Sequence, residues 1–442
     1  MRLDNWLAQR AETRPGRCAL IADGHELSYA ELEHEAARAA RRLAARGVRR
    51  GATVAIELEA GLEYAVFLHA LMKLGAVAYP LNTRLSDAER RAELARAEPV
   101  LTIDGDSLDL GHTEADLPLL GEQDLDDLHC RILTSGTSGV ARPVGLTYGN
   151  HLWSAVGSAF NLGVEPSDRW LCCLPLFHVG GLSILMRSVI YGTTAVVHDG
   201  FDVDRIATSL EGDGVTVLSV VTTQLTRLLE AGVDLLPLRA ILVGGGPVPE
   251  EVLAEALGRG ATVVQTYGLT EAASQVTTLS PNEAHERLGS AGRPLLTTHL
   301  RISDGEILVQ GPTVAPGFAD EAGWLHTGDL GRIDEEGFLY VEDRLGDLIV
   351  TGGENVLPTE VEEVLLKHPG VADAAAIGRS DHEWQEAVTA VVVLRADAEV
   401  SAEELLAHCA AELAGFKIPK RIEFASELPR TPAGKLMRRE LR

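Results

Sequence analysis

The chain has 442 residues, 65 of them acidic and 39 basic, for a formal net charge of −26. An excess of that size excludes nucleic acid and anionic membranes as natural partners, and the length asks for two or more domains rather than one core. Only five of the basic residues are lysines, Lys73, Lys367, Lys417, Lys420 and Lys435, so a site for phosphates must draw on backbone amides, a metal ion or a few placed cations.

The five cysteines, Cys18, Cys130, Cys172, Cys173 and Cys409, are odd in number and never stand in C-x-x-C spacing. Neither a disulfide framework nor a zinc site is indicated, and a reducing compartment fits. The start, MRLDNWLAQRAETRPG, lacks a basic segment followed by an apolar one, and no run approaches the ~18 apolar residues of a membrane span. A soluble, cytoplasmic protein is expected.

In chain order, S-x-x-E spacings at Ser28 and Glu31, Ser86 and Glu89, and Ser401 and Glu404 predict helix starts, because hydroxyl and carboxylate satisfy free N–H groups of the first turn. Gly47 and Gly415 are placed to end two of these helices. Between them lie the β-branched runs ATVAIEL (52–58), VTVLSVV (215–221), AILVGGG (240–246) and ATVVQTYG (261–268). Strand, glycine turn and helix in alternation predict α/β layers with mostly parallel sheets. From Asp304 the pattern tightens to GEILVQGP and then GFLYVEDRLGDLIVTGGENV, which predicts a smaller sheet. A helix from Pro358, a strand over 387–394, the helix after Ser401 and a basic tail complete the chain. No repeat or low-complexity linker separates the parts, so a short hinge is placed at Arg344 to Asp347, dividing the chain into 1–345 and 346–442.

Four segments carry chemistry. In TSGTSGVARPVGLT (134–147), Gly136 and Gly139 let backbone N–H groups converge on an anion, while Thr134, Ser135, Thr137 and Ser138 add hydroxyls; together they form a phosphate cradle, although such a run also suits a plain surface loop. In QTYGLTEAASQ (265–275), Tyr267, Gly268, Thr270 and Glu271 offer a ring for a base, a close-approach glycine, a hydroxyl and a carboxylate for Mg²⁺. The same run also reads as an ordinary strand-to-helix turn. In WLHTGDLG (324–331) and DRLGDLIVTGGENV (343–356), Asp329 and Arg344 suit a ribose diol, or one another as an ion pair. In LPRTPAGKLMRREL (428–441), Lys435 follows Gly434 between Arg430 and Arg438.

In this order and spacing the chain resembles the adenylate-forming superfamily of acyl-CoA synthetases, adenylation domains and luciferases over essentially its whole length. Within it, TYGNHLWSAVGSAFNLGV (147–164), LPLFHVGGLSIL (174–185), GGGPVP (244–249) and YGLTEAASQ (267–275) are similar to the o-succinylbenzoate:CoA ligases of menaquinone synthesis. The resemblance implies an α/β fold, with a large N-terminal domain of layered α/β subdomains and a small mobile α+β C-terminal domain. It also implies ATP, Mg²⁺, coenzyme A and a small carboxylic acid as ligands, and a homo-oligomer.

The implied chemistry has two displacements. A carboxylate oxygen first attacks the α-phosphorus of ATP and pyrophosphate leaves; the CoA thiol then attacks the acyl carbonyl and AMP leaves. By resemblance Lys435 is the cation of the first step, since a fixed charge stabilises what develops at phosphorus. Residues Thr134 to Gly139 hold the β and γ phosphates, and Glu271 with Thr270 and Thr137 organises Mg²⁺. Tyr267 and Gly268 lie against adenine, with Gly244, Gly245 and Gly246 on its other side, and Asp329 and Arg344 hold the ribose. A rotation about Gly346 brings Gly352, Gly353 and Glu354 to the site for the second step. The acyl pocket falls to Phe177, His178, Gly180, Ser219 and the Gly245 wall, with Ser154 and Arg187 as candidates for the second carboxylate of o-succinylbenzoate.

One departure stands out: relatives carry two lysines after the glycines of the phosphate loop, whereas here the residues are Val140, Ala141, Arg142 and Pro143. Other readings remain, namely another acid, an adenylation module loading a carrier protein, or a nucleotide-binding relative without turnover.

Overall fold

Strands such as TAVV (Thr194–Val197), VLSV (Val217–Val220) and AILV (Ala240–Val243) are buried at every position. A strand covered on both faces has no need of polar alternation, and this is the pattern of a parallel sheet between helices. In the computed structural model they belong to a nine-stranded sheet whose centre is six parallel strands, in spatial order Cys18–Ala22, Thr194–Val197, Arg169–Cys172, Val217–Val220, Ala240–Val243 and Val263–Leu269. Antiparallel strands close both edges: His25–Ser28 on one, Ser274–Thr278 and Arg293–Pro294 on the other. The structure describes residues 1–22, 24–105, 111–134, 142–246, 248, 250–344, 349–396, 398–429 and 438–441.

Successive residues of each central strand feed different cores, as the two-residue period of a strand requires. Trp170, Cys172, Val217, Ala240 and Leu242 join one cluster with the helices Tyr29–Ala45 and Leu62–Leu74. Leu171, Cys173, Leu218, Ile241 and Val243 join a second with Leu225, Leu228 and Leu253. A five-stranded sheet, in order Leu101–Ile103, Thr53–Ile56, Val77–Pro80, Leu128–Thr134 and Arg142–Thr147, and a four-stranded one, in order His299–Ser303, Glu306–Gln310, Leu325–Ile333 and Leu339–Arg344, complete this layered part.

The chain gathers into two units. One comprises Met1–Thr83, Ala97–Leu133 and Pro143–Asp343; the other comprises Arg84–Arg96, Thr134–Arg142 and Arg344–Arg442. The second unit is built on Glu354–Val356, Ile349–Thr351, Gln385–Leu394 and Val371–Asp381, with Arg421–Phe424 added in parallel to Gln385–Leu394. Val361 and Leu365 of helix Pro358–Leu366 and Leu405 and Cys409 of helix Ala402–Glu412 fill its core. The small sheet expected beyond Asp304 is therefore two sheets, one in each unit.

All three predicted helix starts form. Ser28 and Glu31 make the reciprocal box, Ser86 and Glu89 do likewise, and the Ser401 hydroxyl accepts the Glu404 N–H at 3.1 Å. Gly415 does not end its helix, which stops at Glu412 with Leu413 as the cap residue in extended conformation. Among the described residues no helix is long and apolar enough to cross a membrane.

Candidate active site

Open parallel sheets bind ligands beyond the carboxyl ends of their strands, and several of the residues singled out above stand at or just after such ends. Phe177 and His178 follow strand Arg169–Cys172, Ser219 sits near the end of Val217–Val220, Gly244 directly follows Ala240–Val243, and Tyr267 and Gly268 close Val263–Leu269. Two glycines answer close approaches. A Cβ on Gly244 would lie 2.8 Å from Thr266 Cγ2, and one on Gly268 would lie 1.6 Å from the Ser274 carbonyl oxygen, across a bulge at Tyr267/Gly268. Gly245 has φ +84, a conformation L side chains rarely adopt.

The Tyr267 hydroxyl donates to Asp329 Oδ2 at 2.8 Å. Asp329 is buried, and its own N–H donates to the Thr327 hydroxyl, which in turn donates to the Ile307 carbonyl. The aromatic and acidic candidates, 62 residues apart in sequence, thus form one rigid pair. Thr270 and Glu271 occupy a short 3₁₀ turn, followed by Ala273 and Ser274 at φ +52 and +96. The Glu271 carbonyl accepts the Ala315 N–H at 2.8 Å, which anchors the turn while its carboxylate stays half-buried.

Three substrate candidates meet through a residue that the sequence did not single out. Arg187, on helix Val179–Tyr191, donates from Nη2 to the Ser154 hydroxyl at 3.2 Å, and Ser154 donates to the Ala273 carbonyl at 2.7 Å. The guanidinium carbon lies 5.6 Å from the ring centre of Trp170, whose indole N–H donates to Ser219 Oγ at 2.9 Å. Arg187 is 3% exposed, its Nε has no partner, and no carboxylate lies within ion-pair distance among the described residues. Burial pushes its pKa down; an arginine nonetheless keeps its charge, so the cation lacks a counter-ion.

Phe177 and His178 meet edge to face at 4.8 Å between ring centres, and His178 is the residue that precedes helix Val179–Tyr191. Gly180, expected to line the pocket, has only one ordinary contact near its Cβ direction, whereas a Cβ on Gly181 would meet the Pro175 carbonyl oxygen at 2.4 Å. Backbone sterics thus demand glycine at Gly181, while the Cβ direction of Gly180 is nearly open.

In the second unit Gly352 and Gly353 form a two-residue hairpin turn at φ +56 and +81 between Ile349–Thr351 and Glu354–Val356. The buried Glu354 is ion-paired with Arg84. The Thr134 hydroxyl donates to the Arg142 carbonyl at 3.3 Å. Lys417, passed over in the sequence, reaches Glu89 at 2.9 Å and Glu360 at 3.1 Å. Burial opposes its charge, but Glu360 and Glu89 together hold its pKa above the ordinary value.

Ser135, Gly136, Thr137, Ser138, Gly139, Gly346 and Lys435 lie outside the described residues, as does the side chain of Arg344, whose backbone ends strand Leu339–Arg344. One buried group of potential metal ligands, His129, Cys130 and His151, is present among the described residues. His129 Nδ1 and His151 Nε2 share a hydrogen bond of 3.0 Å, burial raises the Cys130 thiol pKa, and both histidines are held neutral. These groups are core partners to one another.

A model of the AMP-binding enzyme family matches residues 7–319, and one of the AMP-binding enzyme C-terminal domain matches residues 360–435. A 2-succinylbenzoate–CoA ligase of Bacillus cereus is 41% identical over 474 aligned residues, covering 100% of this chain and 98% of the relative. A double mutant of o-succinylbenzoate CoA synthetase from Bacillus subtilis, bound with its product analogue OSB-NCoA, superposes with a TM-score of 0.95 at 41% identity, covering 100% of this chain and 98% of that one. That synthetase in complex with ATP and magnesium ion gives 0.75 at 41% identity, with both chains fully covered.

Proposed function

The chain belongs to the AMP-binding enzyme family, and from that premise we propose that it is an ATP-dependent o-succinylbenzoate:CoA ligase of menaquinone biosynthesis. It forms an acyl-adenylate with release of pyrophosphate, then a CoA thioester with release of AMP. The observation that carries the choice of acid is Arg187, a buried guanidinium whose one hydrogen-bonded side-chain partner among the described residues, Ser154, is neutral. An acid with a second, unreacting carboxylate supplies the missing counter-charge, and such a pair is strong where water is excluded.

In this reading the succinyl carboxylate reacts while the aromatic carboxylate is held by Arg187 and Ser154. Phe177, His178, Gly180, Ser219 and the Gly244–Gly246 turn surround the rest of the acid and the adenine. Asp329, fixed by Tyr267, accepts from the ribose hydroxyls, with Arg344 beside them. Glu271 and Thr270 place hard oxygen donors on one anchored turn, which suits Mg²⁺, and Thr137 would complete the set. Bound there, the ion neutralises charge on the phosphates. Lys435 serves the α-phosphate in the first step only, the division at 1–345 and 346–442 lets it withdraw about Gly346, and the Gly352–Glu354 turn then lines the thiol's path. The enzyme works in the cytoplasm as a homo-oligomer.

The test offers the protein a panel of acids with ATP, Mg²⁺ and CoA and follows AMP release. CoA-dependent release is expected with o-succinylbenzoate, and Lys435→Ala should slow adenylate formation by about 10²–10³-fold while sparing thioester formation from supplied acyl-adenylate. Turnover with other acids but none with o-succinylbenzoate overturns the choice of acid; equal loss in both half-reactions removes Lys435 from its role.

A further inference from the structure

Trp170 lies on strand Arg169–Cys172, and Ser219 on its parallel neighbour Val217–Val220, opposite Cys172. A strand presents the same face at every second residue, so the indole and the hydroxyl share one face of the sheet. That face packs with Leu182, Leu185 and Met186 of the helix bearing Arg187. Trp170, Ser219 and Arg187 are all buried. A buried indole N–H needs an acceptor, and here the acceptor is Ser219 Oγ. The ring of the same indole steadies the Arg187 guanidinium through its negative π face, which holds the cation without cancelling its charge as a carboxylate would.

The two serines differ in what they still offer. Ser154 accepts from Arg187 and donates its hydrogen to the Ala273 carbonyl, so it serves the acid by fixing the guanidinium. Ser219 accepts from Trp170, and among the described residues its own hydrogen goes to no acceptor. With one lone pair taken by the indole, that hydroxyl is set as a donor. One indole thus fixes two donors at a set separation, one charged and one neutral. o-Succinylbenzoate carries a matching pair of acceptors, the aromatic carboxylate and, ortho to it, the ketone that joins the side chain to the ring. We propose that Trp170 is a positioning residue that sets the preference for this pair, with Arg187 on the carboxylate and the Ser219 hydroxyl donating to the ketone oxygen. The proposal rests on the choice of acid made above and adds a second polar contact to it. An acid without the ketone leaves a buried donor unanswered, which costs affinity.

The test compares kcat/KM, by AMP release, for o-succinylbenzoate, its analogue without the aromatic carboxylate, and its analogue with a methylene in place of the ketone. The wild-type enzyme should prefer o-succinylbenzoate to the first analogue by about 100-fold and to the second by about tenfold, the worth of one neutral hydrogen bond. Trp170→Phe keeps a ring against the guanidinium and removes the N–H. It should cut the preference for the ketone to within about threefold while the preference for the carboxylate stays, with the change in KM and not in kcat. Ser219→Ala should do the same, and the double variant should add nothing, because both substitutions break one contact. Trp170→Leu, with neither ring nor N–H, should lose both preferences. A wild type indifferent to the ketone overturns the proposal and leaves the choice of acid standing. Equal slowing of all three acids in Trp170→Phe and Ser219→Ala, the signature of a purely structural tryptophan, overturns it too. No turnover of o-succinylbenzoate at all overturns the choice of acid and this proposal with it.

Discussion

One cation in each unit, Arg187 in the first and Lys417 in the second, is enclosed in an opposite way. In the first, Arg187 is enclosed among Ser154, Trp170 and backbone, with no carboxylate within ion-pair distance among the described residues. In the second, Lys417 is closed between Glu89 and Glu360, each within 3.1 Å. Enclosing a charge costs several kcal/mol unless a partner compensates it. A cation compensated inside the protein is part of the scaffold; one left open reserves its compensation for a ligand. Burial also acts on histidines of the first unit: His69, His129 and His151 are held neutral, His69 and His151 with pKa pulled down to about 3.

The largest effect that sharpens this contrast is expected from Arg187→Met, which keeps the stem and removes the charge. It should lower kcat/KM for o-succinylbenzoate by about 100-fold, a loss typical of a buried polar contact to substrate, and leave the melting temperature unchanged or raised. The mirror substitution, Lys417→Met, strands two carboxylates and should destabilise the second unit by about 3 kcal/mol, measured by hydrogen exchange over Val371–Asp381, without changing affinity for the acid. If Arg187→Met proved the more destabilising of the two and left substrate discrimination intact, the contrast would be void.

The smallest effect is one of pH. The three histidine pKa values lie below the ordinary 6.5 in the fold, so below that pH the unfolded chain takes up protons that the first unit refuses, and stability falls as pH falls. Between pH 7 and 6 the loss should be roughly 0.7 kcal/mol per histidine, about 2 kcal/mol together. Glu89 has a lowered pKa, burial opposing and Lys417 favouring its charge, so its contribution persists above about 4.5 and is lost only as pH falls through the lowered value. Lys417, raised, keeps its contribution until pH climbs past its own range. Exchange rates at pH 6 should therefore rise in the first unit before the second; simultaneous loosening would break the comparison.

Much of this was legible in residue order. The S-x-x-E caps, the wholly apolar strands and the Tyr267-Gly268 turn are set by neighbours within four positions, where hydrogen bonding and side-chain period act directly on the backbone. So the parallel core and the strand-end location of Gly244 and Tyr267 could be read before any coordinates. Resemblance supplied roles for Phe177, Ser219 and Asp329.

Contacts between distant segments were not legible. Trp170 as the bridge from Ser219 to Arg187, Thr327 behind Asp329, Gly181 under the Pro175 carbonyl, Arg84 on Glu354 and Lys417 on Glu89 were each beyond what spacing along the chain could show. Local sequence determined which segments are strands and helices, because a backbone chooses its dihedrals from nearby sterics and hydrogen bonds. Only the packing of layers decided which buried charges found partners, since burial and counter-charge arise where separate elements meet.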